Sequence, residues 1–84
     1  MIDILYFAWV REAVGCGSER VDPPAGITTA AALVDWLAAR GEPWASALAD
    51  RARLRIAIDQ QFAEPAATIA GAREIAIFPP VTGG

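Results

Sequence analysis

The chain contains no histidine and no lysine. Their absence removes the imidazole base of serine–histidine hydrolysis and the amine needed for a Schiff base. A single cysteine, Cys16, has no partner within the chain for a disulfide. It stands between Gly15 and Gly17, and no neighbour in sequence lowers its pKa, so it reads as incidental. Asp59 and Glu64 are isolated carboxylates, better suited to a turn and a surface than to acid–base work. The spacing of acidic and sulfur-bearing residues matches no metal-ligand pattern. No run of eighteen apolar residues exists to span a membrane. Asp3 stands where a secretory leader carries positive charge, and Arg11 and Glu12 interrupt the apolar run behind it. The expected location is therefore the cytoplasm. Ten acidic residues against seven arginines give a net charge of −3, and no basic face is concentrated enough to hold nucleic acid.

What is present is apolar. Eighty-four residues make one domain, and 55% of them are hydrophobic. A domain this small buries only about 60–65% of its unfolded surface. Some apolar area must stay outside, which favours a function that depends on a partner.

The expected order of elements is strand, strand, helix, strand, short strand, strand. Residues 2–9 alternate as a strand, with Ile2, Ile4 and Tyr6 on one face and Asp3, Leu5, Phe7 and Trp9 on the other. A short helical turn from Arg11 closes at Gly15, and Ser18 to Val21 returns as a hairpin strand. The main helix is expected over residues 29–40, capped by Thr28 or Thr29, with Ala30, Leu33, Trp36 and Leu37 on its buried stripe. Gly41 stops it, and Pro43 opens a second helical piece carrying Trp44 and Leu48. Leu54, Ile56 and Ile58 alternate with Arg53, Arg55 and Ala57 in a strand with one wet face. A turn at Asp59 leads to a return strand starting at Phe62, and the last strand runs from Glu74 to Phe78. This is an α+β pattern with an antiparallel-rich sheet crossed by one main helix.

The most informative stretch is IAIFPPVTGG, residues 75–84. Pro79 and Pro80 end the strand, since neither has an N–H for a sheet ladder. From Pro79 through Pro80, Val81, Thr82 and Gly83 to Gly84, an extended chain reaches roughly 20 Å at about 3.3 Å per residue. The prolines stiffen its base, and the glycines leave its tip without side chains. On composition alone a frayed end is the simpler reading.

FPPVTGG on a chain of this length closely resembles the MoaD-type sulfur carriers, the small subunits of molybdopterin synthase. The opening stretch from Ile4 to Glu12, ILYFAWVRE, is similar to that family's first strand and helical turn. The resemblance spans the whole chain, and its specificity lies in the tail. It implies a ubiquitin-like β-grasp domain over residues 1–78, with first and last strands adjacent at the sheet centre, and a Gly-Gly arm over residues 79–84.

In that fold, strand parity gives a further expectation. Glu74, Ala76 and Phe78 share a face, and a glutamate is rarely buried unpaired, so Phe78 should point outward with Ala76. Phe7 belongs to the Asp3 face, and Phe62 could join both. These three phenylalanines would form an aromatic partner interface at the root of the arm, with Arg11 as a rim charge. A parity one residue out would instead make them core, and Arg11 a plain solvated charge.

The resemblance also implies a chemistry for Gly84. A terminal carboxylate ionises near about 3.3–3.7, and as an anion it is a poor electrophile. Adenylation with ATP supplies a leaving group. A sulfur nucleophile then displaces AMP and leaves a thiocarboxylate. The implied partners are an E1-like adenylyltransferase (MoeB-type), a sulfur donor protein and the large synthase subunit (MoaE-type). The last converts cyclic pyranopterin monophosphate to the molybdopterin dithiolene within a heterotetramer. ATP and Mg²⁺ belong to the activating partner, and no cofactor or metal is expected on this chain. Two alternatives stay open: a sulfur carrier for thiamine, tRNA or cysteine synthesis, and a ubiquitin-like modifier joined to targets through Gly84. Asp59 departs from the asparagine common at that place in the family.

Overall fold

A computed structural model describes residues 1–80. Five strands form one sheet in the order β2-β1-β5-β3-β4. Strand β1 (Ile2–Tyr6) pairs antiparallel with β2 (Ser18–Val21) and parallel with β5 (Glu74–Phe78). Strand β3 (Arg55–Ile58) pairs antiparallel with both β5 and the edge strand β4 (Gln61–Ala63). First and last strands are therefore neighbours, and β5 is central.

The main helix α2 (Ala30–Ala38) crosses one face of the sheet. Its cap is Thr29, whose Oγ1 accepts from the Ala32 N–H at 3.2 Å. This satisfies a donor that the first turn leaves unpaired. Ala30, Leu33, Val34 and Leu37 are buried beneath it, against Ile4, Tyr6, Ile75 and Ile77 from the sheet. The stripe thus includes Val34, while Trp36 is half-buried at its flank. Helix α3 (Trp44–Ala47) follows and seats Leu48 in the core.

Three expectations are corrected. The first strand ends at Tyr6, and helix α1 (Ala8–Val14) begins at once, ending at Gly15 with φ 95°. Trp9 thus lies on a helix and packs against the core edge instead of extending the strand's outer face. The apolar run from Phe7 to Val10 suits either period, and burial of Val10 and Val14 decides for the helix. Arg53 falls in a 3₁₀ turn (Arg51–Arg53), not in a strand. Finally, Ala57 and Ala76 lie on the face turned away from the helices yet are buried, at 9% and 8% exposure. Ala57 sits between Phe62 and Ala76 as cross-strand partners, so larger neighbours shield the small side chains.

Candidate functional site

The point from which the expected arm leaves the sheet is assembled from the ends of three strands. The parallel register places Tyr6 beside Ile77, and the Phe7 N–H donates to the Ile77 carbonyl at 3.2 Å. The antiparallel register places Arg55 beside Phe78. Pro79 and Pro80 follow, both half-buried. Val81, Thr82, Gly83 and Gly84, the expected reactive tip, lie outside the described residues.

The three phenylalanines are placed differently from one another. Phe62 and Phe78 lie on the open face with ring centroids 5.8 Å apart, tilted by 47°. This geometry lies within the favourable range for aromatic pairs. Phe62 is 81% exposed on the edge strand, whereas Phe78 is half-buried. Phe7 is 47% exposed but has left the sheet to cap α1, and Phe62–Phe78 is the aromatic contact among the described residues. An open groove of about 890 Å³ adjoins Phe62 and Phe78 and continues past Val34, Leu54, Ile56 and Pro65. Arg51, paired with Asp35 at 2.8 Å, stands on its rim. Arg11 is exposed and lies across the backbone of Gly17; a Cβ there would come within 3.1 Å of its Nε. Among the described residues, no group of three His, Cys, Asp or Glu side chains gathers to hold a metal ion.

The most polar cluster sits on the helix side of the sheet. Glu19 accepts from the Tyr6 hydroxyl at 2.6 Å, from Trp44 Nε1 at 2.9 Å and from both terminal nitrogens of Arg40 at 3.0 and 2.8 Å. The Arg40 guanidinium lies over the Trp44 ring at 4.2 Å and near the Trp36 ring at 5.6 Å. Burial pushes the Glu19 carboxyl up, but hydrogen bonds from Arg40, Tyr6 and Trp44, with the charge of Arg40, outweigh it and hold the pKa below the usual carboxylate value. Burial and the neighbouring carboxylate push the Tyr6 hydroxyl far up, so it stays a neutral donor. Both oxygens of Glu19 are engaged, and the bonds fasten β1 and β2 to α3 and to Arg40 just beyond α2. Sequence reasoning missed it because the partners of Glu19 lie 13 to 25 residues from it along the chain.

Residues 4–84 match the ThiS family. The chain belongs to that family. Within it, this ThiS-family chain is 37% identical to the molybdopterin synthase sulfur carrier subunit of Haemophilus influenzae, and 40% identical to that of Escherichia coli. Each match covers 100% of both chains. Among solved structures it is similar to SAMP1 from Haloferax volcanii, with a TM-score of 0.73, 26% identity and coverage of 99% and 98% of the two chains. A putative molybdopterin converting factor, subunit 1, from Pyrococcus furiosus shares the fold, with a TM-score of 0.71, 20% identity and coverage of 95% and 97%. The fold is the ubiquitin-like β-grasp, as the order of strands around the central β1–β5 pair indicates.

Proposed function

We propose that this ThiS-family chain is the sulfur carrier subunit of a molybdopterin synthase, working from the cytoplasm. The observation that carries the reading is end-to-end similarity to two subunits of that name. The composition supports it: a chain without histidine or lysine has little with which to catalyse, and Gly83-Gly84 offers a backbone carboxylate unobstructed by side chains.

In this reading the Gly84 carboxylate attacks the α-phosphorus of ATP on a MoeB-type adenylyltransferase, and pyrophosphate leaves. A sulfide-level sulfur nucleophile supplied through a donor protein then displaces AMP to give a thiocarboxylate. The arm then enters a MoaE-type large subunit, where its sulfur bonds to a carbon of cyclic pyranopterin monophosphate as a carbon–oxygen bond at that carbon breaks, leaving the carrier joined as a thioester. Water releases the carrier as its carboxylate, and two charged carriers supply the two sulfurs of the dithiolene. ATP and Mg²⁺ are held by the activating partner. The carrier contributes the arm, from Pro79 to Gly84, and a docking surface at its root that includes Phe7, Arg11, Phe62 and Phe78. Two carriers and two large subunits make the heterotetramer.

The test is intact-mass measurement after incubation with the adenylyltransferase, MgATP and a sulfur source. Exchange of one oxygen for sulfur on the chain is expected. An unchanged mass, or accumulation only of target-linked adducts, sinks the proposal.

A further inference from the structure

Among the described residues, three that are not glycine have a left-handed backbone: Ala8 at φ 54°, Asp59 at φ 48° and Gln60 at φ 71°. Asp59 and Gln60 form the two-residue turn between β3 and β4, where a tight hairpin requires positive φ at both positions. Ala8 belongs to no such turn, and a methyl group offers no local hydrogen bond in return. It stands at the junction of β1 and α1, at the root of the arm. Before it, the Phe7 N–H is held by the Ile77 carbonyl at 3.2 Å. After it, the Phe7 carbonyl accepts from the Arg11 N–H at 3.3 Å, and Val10 is fully buried. Sheet and helix are thus both anchored, and the reversal between them falls on one residue. Phe7 stays extended, with φ −127° and ψ 156°, and its ring is left 47% exposed. In an extended or right-handed conformation at Ala8, either Val10 would leave its seat or Phe7 would turn.

We infer that Ala8 is a positioning residue for the docking surface: its left-handed backbone aims the Phe7 ring outward at the end of β5. The identity of the docked partner rests on the sulfur-carrier reading; the conformational claim does not. Glycine at this position removes the strain and also the restraint. The D-enantiomer of alanine removes the strain and keeps the restraint, because its Cβ favours positive φ.

Both forms can be made at the single Gly15-Cys16 junction. A synthetic 1–15 thioester is joined to a 16–84 fragment whose terminal Cys16 thiol displaces the thioester's thiol. Transfer of the acyl group from sulfur to nitrogen then leaves a native amide. Two readouts apply to each form: the χ1 couplings of Phe7 by NMR, and carrier KM and kcat in adenylation by a MoeB-type adenylyltransferase with MgATP. Ala8→Gly is expected to average the Phe7 couplings and raise KM about two- to fivefold at unchanged kcat, with Tm unchanged or higher. D-alanine at position 8 is expected to keep wild-type couplings and KM, with a higher Tm. A fixed Phe7 rotamer together with wild-type KM in Ala8→Gly overturns the inference, as does loss of either in the D-alanine form. If the wild-type chain is not adenylated at all, the sulfur-carrier reading fails, and the Phe7 couplings alone decide the role of Ala8.

Discussion

The two faces of the sheet are built from the same five strands and do opposite work. On the helix side, Ile4, Tyr6, Ile75 and Ile77 are at most 1% exposed, and the Glu19 carboxylate there accepts from Tyr6, Trp44 and both terminal nitrogens of Arg40. On the open side, Ala57 and Ala76 are covered only by larger neighbours, while Phe62 presents 81% of its surface to solvent. Stability is concentrated on the first face. The second leaves apolar area unburied, and that area gains free energy only when something covers it. A change on one face should therefore be felt as stability, and a change on the other as binding.

The largest expected effect tests the functional side. Removing Gly84, or adding one residue after it, should abolish the exchange of oxygen for sulfur seen by intact mass while leaving Tm unchanged. Retained sulfur transfer would refute the arm as the reactive element. Next comes the helix side. Glu19→Ala strands the Arg40 guanidinium and the Tyr6 and Trp44 donors, and should cost about 2 kcal/mol in urea unfolding. A cost below about 0.5 kcal/mol would show that the two faces do not differ in this way.

The pH dependence sharpens the same contrast. The Glu19 pKa is lower in the folded than in the unfolded state, so its contribution is complete above the ordinary value of 4.5 and is lost as pH falls through the lower folded value. Unfolding free energies measured from pH 6 down to pH 3 should fall less steeply for Glu19→Gln than for the wild type. Equal slopes would remove Glu19 from the account. On the open face, Phe62→Asp should weaken association with the large subunit about tenfold or more, read by calorimetry, while changing stability by no more than about 0.5 kcal/mol. Loss of stability without loss of binding would reverse the assignment of the faces. The smallest effect is expected from Cys16→Ser, an exposed position, which should alter neither measurement.

Much of the fold was legible where local chemistry was unambiguous. Strands β2 and β5 have the bounds the pattern predicts, because the turn at Cys16-Gly17 opens one and the Pro79-Pro80 pair ends the other. Thr29 caps α2 and Gly15 ends α1 for reasons confined to a few residues. The aromatic surface was only half legible. Parity places Phe78 and Phe62 on one face, but Phe7 was carried off the sheet by a helix starting one residue later. An uninterrupted apolar run fits both periods, so the sequence there does not choose between them.

What the sequence determined by itself was the inventory and the order: a chain without histidine or lysine, one helix-and-strand succession, and a Pro79-Pro80 stop after the last strand. Capping, turn chemistry and periodicity act over a few residues, so they can be read in isolation. Only the tertiary structure decided which alanines are shielded, how Glu19 gathers four donors from distant segments, and why Ala8 takes a left-handed turn. Those outcomes depend on neighbours brought together by packing, and no local preference encodes who those neighbours will be.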